Sequence, residues 1–139
     1  MNSMHSAVAR RSPAALYLFV EMARCWSKAR RGRRPALTML HSRVGHYGCG
    51  PLLPALDSMF ALTTTLLGRP LRPGRSAGLS DDENMLINLL QGRRVAALGH
   101  QCSEALLCTF CCAVRSVQLL MDMELGREKQ AAERMDRAA

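Results

Sequence analysis

The sequence is poor in the residues that favour β-sheets and in aromatic side chains. Val, Ile and Thr together supply 12 of the 139 residues, whereas Ala and Leu supply 39, and only six residues are aromatic. β-Branched and aromatic residues are enriched in strands, while Ala and Leu are among the best helix formers. The composition therefore argues against a sheet-dominated fold and predicts an all-α protein.

The chain also lacks the short motifs of the common enzyme classes. No GxSxG, P-loop, GxGxxG or HExxH sequence occurs in it. Each of these motifs fixes a nucleophile, a phosphate-binding backbone or a pair of metal ligands at a set spacing. A chain of this length corresponds to one domain, without room for a second, catalytic one. We therefore expect a non-enzymatic protein that needs no cofactor.

Long apolar runs are missing as well. The longest candidates are 52–67, which a proline and an aspartate interrupt, and 105–114, which is shorter than the roughly 18 residues that cross a bilayer. The apolar stretch at 14–20 ends at Glu21 and does not match a secretory signal. We therefore expect no transmembrane segment and a cytoplasmic protein whose cysteines are reduced.

Cap and turn residues divide the chain into four main helices and one short helix. Ser12 and Pro13 form a helix start, because serine caps the first amides and proline suits the first turn. Gly32, Gly45 and Gly68 are typical helix ends. The prediction is a small bundle or array with helices at 13–31, from Pro35 to Gly45, at 52–67, after Ser80 and at roughly 93–125.

These helices are expected to form a single domain over residues 12–126. Residues 1–11 precede the first cap and are predicted to be disordered. Residues 69–78 contain two prolines and two glycines, which favour turns. They are therefore predicted to form a linker. Residues 127–139 follow a glycine and are highly charged, which predicts a frayed C-terminal tail.

Residues 79–91, Leu-Ser-Asp-Asp-Glu-Asn-Met-Leu-Ile-Asn-Leu-Leu-Gln, contain the clearest local signal in the chain. Ser80 and Glu83 match a capping box, and Asp81 and Asp82 complement the positive end of the helix dipole. Between a Pro/Arg-rich linker and a long helix, this segment resembles the central box of a short bacterial family of helical proteins of unknown function. Ser-Ala-Gly precedes the box here, where that family often has Cys-Pro. The resemblance implies no activity.

Positive charge is concentrated in the first two-fifths of the chain. Residues 1–56 hold nine basic side chains and one acid, whereas residues 57–139 hold ten of each. A run of five basic residues within seven positions could neutralise phosphates and bind nucleic acid or an anionic membrane without sequence preference. No aromatic residue lies between them to stack on bases. This basic cluster consists of Lys28, Arg30, Arg31, Arg33 and Arg34.

Four of the six cysteines lie in the last predicted helix. At 100° per residue, two of them share an arc of about 80° with a histidine and a glutamate, so that thiolate, imidazole and carboxylate could converge on one zinc ion. A histidine and a cysteine in the loop near residue 47 could complete the site. The alternative to metal binding is packing, because a free cysteine behaves as a small apolar residue. The six candidate ligands are Cys108, Cys111, His100, Glu104, His46 and Cys49.

The first predicted helix is the strongest candidate for contact with a partner. Its apolar side chains cover about 220° of the helix circumference, more than a small domain needs to bury. The favoured function is therefore a helical interaction or regulatory protein that binds a protein partner or self-associates through this helix. A Cys/His zinc site or thiol-based sensor, and nonspecific binding of nucleic acid or anionic membranes by the basic cluster, are the alternatives.

Overall fold

A computed structural model of the chain describes residues 11–45, 50–93 and 103–138, with the backbone alone for 125–133. These ranges contain α-helices and no strand, which confirms the predicted all-α fold of four main helices and one short one. The helices are α1 (Pro13–Arg31), α2 (Ala36–Val44), α3 (Leu52–Leu67), α4 (Asp81–Leu90) and α5 (Glu104–Ala138).

α1 and α3 have the predicted bounds, and the cap at the start of α1 and that at the end of α3 form as expected. The Ser12 hydroxyl accepts a hydrogen bond from the Ala15 amide at 3.2 Å, and a proline occupies the first turn. α3 ends at Gly68, whose φ of 68° lies in the left-handed region that glycine adopts without steric cost. After α1 the left-handed residue is Arg33, with φ 54°, rather than Gly32.

Aromatic side chains of α1 and α3 form the centre of the core. The rings of Phe19 and Trp26 each lie 5.7 Å from the ring of Phe60, and all three side chains are fully buried. The Trp26 indole N–H donates to the Asp57 carboxylate at 2.8 Å, which satisfies its polar atom. The other helices complete the core with Leu40, Val44, Leu86, Leu90, Phe110, Val114, Val117 and Met121.

The last helix begins later than the sequence indicated. Ser103 precedes it and accepts a hydrogen bond from the Leu106 amide at 3.1 Å, so that α5 starts at Glu104. Arg93 is not helical, and residues 94–102 lie outside the described part of the chain. Ser103 is thus an N-cap that the apolar periodicity concealed.

The same helix also ends later, because it continues through Gly126 to Ala138. The backbone is thus helical over 127–138, where the sequence predicted a frayed tail. A glycine inside a helix costs about 1 kcal/mol relative to alanine. The residues that follow are mostly Ala, Arg, Glu, Gln and Lys, which favour helices and offset that cost.

Arg11 packs against the end of α4 and the middle of α5, although the sequence predicted disorder up to this residue. Its guanidinium donates to the Leu90 carbonyl at 2.7 Å and to the Gln118 carbonyl at 3.3 Å, and lies 3.5 Å from the Asp122 carboxylate. The Gln118 side-chain amide donates to the Leu90 carbonyl at 3.0 Å. Because the last carbonyls of a helix lack intrahelical donors, these contacts close α4 and join it to α5. Residues 1–10 lie outside the described part.

Two carboxylates are buried at the first turn of α4, and each is held by an arginine from another part of the chain. Glu83 is 3% exposed and accepts hydrogen bonds from Arg24 Nε at 2.8 Å and Nη2 at 3.0 Å. Asp82 is 5% exposed and accepts from both terminal nitrogens of Arg69 at 2.7 and 2.8 Å. Both pairs have the two-pronged geometry in which arginine binds a carboxylate most strongly.

The predicted linker at 69–78 folds against these carboxylates. The Arg72 amide donates to Asp82 at 2.8 Å, and the Ser80 hydroxyl donates to the Arg72 carbonyl at 2.6 Å. The Arg24 guanidinium, besides binding Glu83, donates to two carbonyl oxygens at the end of this segment. The linker therefore has a fixed path that ties α1 and α3 to the start of α4.

Gly74 permits this close approach. A Cβ atom at residue 74 would lie 2.5 Å from a carboxylate oxygen of Glu83 and would overlap the Gly78 carbonyl oxygen. Real Cβ atoms do not come so close to other heavy atoms. The backbone can therefore reach the buried carboxylate only where the side chain is absent.

The two carboxylates are acidic in the folded protein. The hydrogen bonds from Arg69 lower the pKa of Asp82 and outweigh the effect of burial. Burial alone would raise the pKa of Glu83, but hydrogen bonds from Arg24 and from the backbone at Gly74 and Ser80 leave it below its ordinary value. Both groups therefore stay ionised at neutral pH.

Replacing Glu83 with glutamine should destabilise the fold, because it removes the charge that Arg24 neutralises. We expect the free energy of unfolding to fall by about 3 kcal/mol, the lower end for a broken buried pair, since Arg24 keeps some contact with water. Urea denaturation measures the change. The control is Asp81→Asn, which replaces an exposed acid two residues before Glu83. This substitution should cost less than about 1 kcal/mol. Equal losses in the two variants would contradict the assignment.

The stability of the protein should depend on pH in the acidic range. Because the folded pKa values of Asp82 and Glu83 lie below the unfolded ones, their contribution is fully present above about pH 5 and is lost as the pH falls through the folded values. Unfolding by urea between pH 7 and pH 3 should show a plateau and then a decline below about pH 4. An Asp82→Asn/Glu83→Gln variant should show a shallower decline, and an unchanged one would contradict this origin.

Candidate interaction surfaces

Three of the six candidate metal ligands lie in the described part of the chain and share the exposed side of α5. Glu104, Cys108 and Cys111 are all exposed. Within the described ranges, no three His, Cys, Asp or Glu side chains come together in a way that could hold a metal ion. A structural zinc ion needs four ligands, so these three residues do not form such a site by themselves. The other three, His46, Cys49 and His100, lie outside the described residues.

The basic cluster lies at the end of α1 and in the turn that follows, and all its side chains are exposed. Lys28 and Arg34 line a groove between α1 and α2, whereas Arg30 and Arg31 line a second groove, between α1 and the segment after α3. The Arg30 guanidinium lies 5.0 Å above the centre of the Trp26 ring, within the range of a cation–π contact. Four residues of the cluster are therefore divided between two sides of α1.

α1 does not present the open apolar face that its sequence predicted. Among the described residues of this helix, Tyr17 is the one large apolar side chain that is exposed, at 69%. Contacts with α2, α3 and α4 cover the others. The prediction that α1 is a partner surface is wrong in this respect, because the domain itself buries the wide apolar arc. The buried apolar residues of α1 are Ala15, Phe19, Val20, Met22, Ala23, Trp26 and Ala29.

α5 is the helix that leaves an apolar side uncovered. Only 28% of its most apolar stretch, which lies within Glu104–Glu124, is buried. Phe110, Val117 and Met121 pack into the core, whereas Leu119 and Met123 are 50% and 51% exposed. Each exposed large apolar side chain costs free energy in water, so a helix with this pattern favours a further contact on its outer side.

The exposed residues of α5 follow a regular pattern on the side opposite the core. Six of them recur at alternating intervals of four and three residues, and at 100° per residue they fall within an arc of about 80°. This is the spacing of the contact positions of a coiled coil. None is charged, and all six are exposed. We call them the outer stripe: Ala105, Thr109, Cys112, Ser116, Leu119 and Met123.

The segment Glu104–Glu124 is also, by length and composition, apolar enough to cross a membrane, and it is the one helix in the described ranges that is. The continuous apolar stretch within this segment, 105–114, is too short to indicate a membrane span, so the sequence pattern alone does not reveal it. The core helix of a soluble protein passes the same test. Here the inner side of the segment packs on the core, and Arg115 and Asp122 are exposed on the outer side.

Comparisons with protein-family models, with curated proteins and with solved structures find no match to this chain. The resemblance of residues 79–91 to a bacterial helical family therefore remains a prediction. Function has to be inferred from the surfaces themselves, of which the outer stripe and the two grooves beside α1 are the most distinctive.

The cysteines should differ in their reactivity towards iodoacetamide in the folded protein. Cys108, Cys111 and Cys112 are exposed, whereas Cys25 is half-buried and burial raises the pKa of its thiol. Peptide mapping by mass spectrometry should therefore show alkylation several-fold slower at Cys25 than at Cys108 and Cys111, which lie outside the contact positions of α5. Equal rates at these three cysteines would contradict the burial of Cys25.

The same assay tests the zinc hypothesis. With one equivalent of zinc, we expect the alkylation rates of Cys108 and Cys111 to stay unchanged, because the described residues supply too few ligands. Cys112 is the internal control, since it was not among the candidate ligands. Protection of Cys108 and Cys111 without protection of Cys112 would instead establish a zinc site and would assign the missing ligands to other parts of the chain.

Proposed function

We propose that this chain is a non-enzymatic helical interaction protein that self-associates through the outer stripe of α5. The observation that supports this most directly is the coiled-coil spacing of six uncharged, exposed residues on a helix whose opposite side is packed on the core. The proposed partner surface is thus on α5 and not on α1.

The outer stripe is self-complementary when two copies of α5 run in opposite directions. In such a pair, residues whose numbers have a constant sum lie opposite each other. With the two-fold axis at the level of Val114, all six residues meet another member of the stripe, and in two of the three kinds of layer a small side chain faces a large one. The three kinds of layer are Ala105 opposite Met123, Thr109 opposite Leu119, and Cys112 opposite Ser116.

A parallel pair would pack less evenly. Each residue would then face its own copy, which places alanine on alanine at one end and methionine on methionine at the other. Small residues leave gaps and large ones force the helices apart, whereas close packing needs a near-constant volume in each layer. The order of small and large residues along the stripe therefore favours the antiparallel arrangement with a second copy of this chain.

The proposal includes a cytoplasmic, reducing setting. Three neighbouring thiols on α5, those of Cys108, Cys111 and Cys112, are free and exposed. In an oxidising compartment, exposed thiols form disulfides or are oxidised further. A surface that carries one of them within an interface between copies and two beside it is compatible with a compartment that keeps them reduced.

Analytical ultracentrifugation of the reduced protein tests self-association. The wild-type chain should show a monomer–dimer equilibrium, and Leu119→Glu should weaken dimerisation by about 100-fold. The reason is that each dimer buries Leu119 twice, and burial of one leucine is worth about 1.5–3 kcal/mol. The control is Leu37→Glu on α2, an apolar residue of similar exposure, at 39%, which lies away from the stripe.

Two outcomes would overturn this proposal. One is a strict monomer at all concentrations, and the other is equal weakening by the Leu37 and Leu119 substitutions. Binding to vesicles of neutral phospholipid by a monomeric protein, abolished by Leu119→Glu, would instead assign the outer stripe to a membrane surface.

A further inference from the structure

A groove lies between α1 and α2, and no residue of the outer stripe lines it. Its volume is about 750 Å³. Sites for small organic molecules usually have volumes of roughly 300–1,000 Å³, so this α1–α2 groove has room for one. It is bounded by one side of α1, by the turn after α1 and by one side of α2.

Basic side chains outnumber acidic ones around the α1–α2 groove. Arg24 is occupied by Glu83 and by two backbone carbonyls. Glu21, the one acid in the lining, lies 3.4 Å from Arg43. In the described ranges neither Lys28 nor Arg34 forms an ion pair. Among the residues that the structure describes, two cations at the same end of the groove therefore have no carboxylate partner.

The position of Arg34 is set by the turn that ends α1. Its amide donates to the Ala29 carbonyl at 2.8 Å, and its Cγ would lie 3.9 Å from a Cβ placed on Gly32. The stem of the side chain therefore runs close over the glycine at the edge of the groove. Lys28 lies one helical turn before Gly32 on α1, so both cations are at the C-terminal end of this helix.

The interior of the groove is apolar. Ala29 is buried, and Cys25 and Met39 are half-buried, so that a methyl group, a thiol and a thioether face the cavity between the charged residues. Methionine adapts its shape to irregular apolar ligands. A ligand that fits this lining has an apolar body and an anionic group at one end.

We infer that the α1–α2 groove binds a small organic anion with an apolar body, whose carboxylate, sulfonate or phosphate is held by Lys28 and Arg34. Nucleic acid fits less well. The arginines next in sequence face the other side of α1, and no aromatic side chain lines this groove to stack on a base.

The test uses a fluorescent anion, 1-anilinonaphthalene-8-sulfonate, and its uncharged analogue N-phenyl-1-naphthylamine. The sulfonate should bind more tightly than the neutral compound, and Lys28→Gln/Arg34→Gln should weaken its binding by about tenfold, the loss expected for a charge-assisted contact. The matched control is Arg75→Gln, an exposed arginine outside the groove. Circular dichroism checks that each variant keeps its helices.

Protection of Cys25 locates the bound dye. At a saturating concentration of the sulfonate, alkylation of Cys25 should slow several-fold, while that of Cys108 on α5 should not change. Leu119→Gln on the outer stripe should leave the binding intact, which separates this site from an apolar probe bound to α5.

Three results would overturn the inference. They are binding that is unaffected by the double substitution, equal loss with Arg75→Gln, and alkylation of Cys25 that the dye does not slow. Displacement of the dye by a random DNA duplex at moderate salt would also overturn it, because the two cations would then serve a nucleic acid.

Discussion

The two buried carboxylates at the start of α4 are the interaction on which the arrangement of the other helices depends. Glu83 holds Arg24 of α1, and Asp82 holds Arg69 at the end of α3, so that three helices meet at one turn. A buried charge without its partner is far more costly than a missing surface contact. The linker between Arg69 and Ser80 is held to the same turn, which converts a segment rich in proline and glycine into a fixed connection.

Fixing α1 and α4 in this way decides which apolar surfaces remain open. Contacts within the domain bury the wide apolar arc of α1, whereas α5 buries one side and exposes the other. The outer stripe is therefore not needed to complete the core and stays exposed. That is why we assign self-association to α5. The α1–α2 groove, which no residue of the outer stripe lines, forms a separate candidate site.

Sequence reasoning predicted the elements whose signals are local. The cap at Ser12, the end of α3 at Gly68 and the capping box at Ser80 need only neighbouring residues, and each is confirmed. Partners distant in the chain left no such signal. Nothing near Glu83 indicated Arg24, 59 residues away, and nothing in α1 alone showed that other helices would cover it. The outer stripe could have been found from its spacing, but its exposure depends on which side of α5 meets the core.

A disulfide placed across the proposed interface tests the central claim most directly. In Ser116→Cys, the antiparallel register puts the new thiol opposite Cys112 of a second copy, so mild oxidation should give a covalent dimer linked between residues 112 and 116. Mass spectrometry of the cross-linked peptides identifies the pair, and Cys112→Ser in the same background should abolish that link. A link between the two copies of residue 116, or no covalent dimer at all, would contradict the antiparallel pairing of α5.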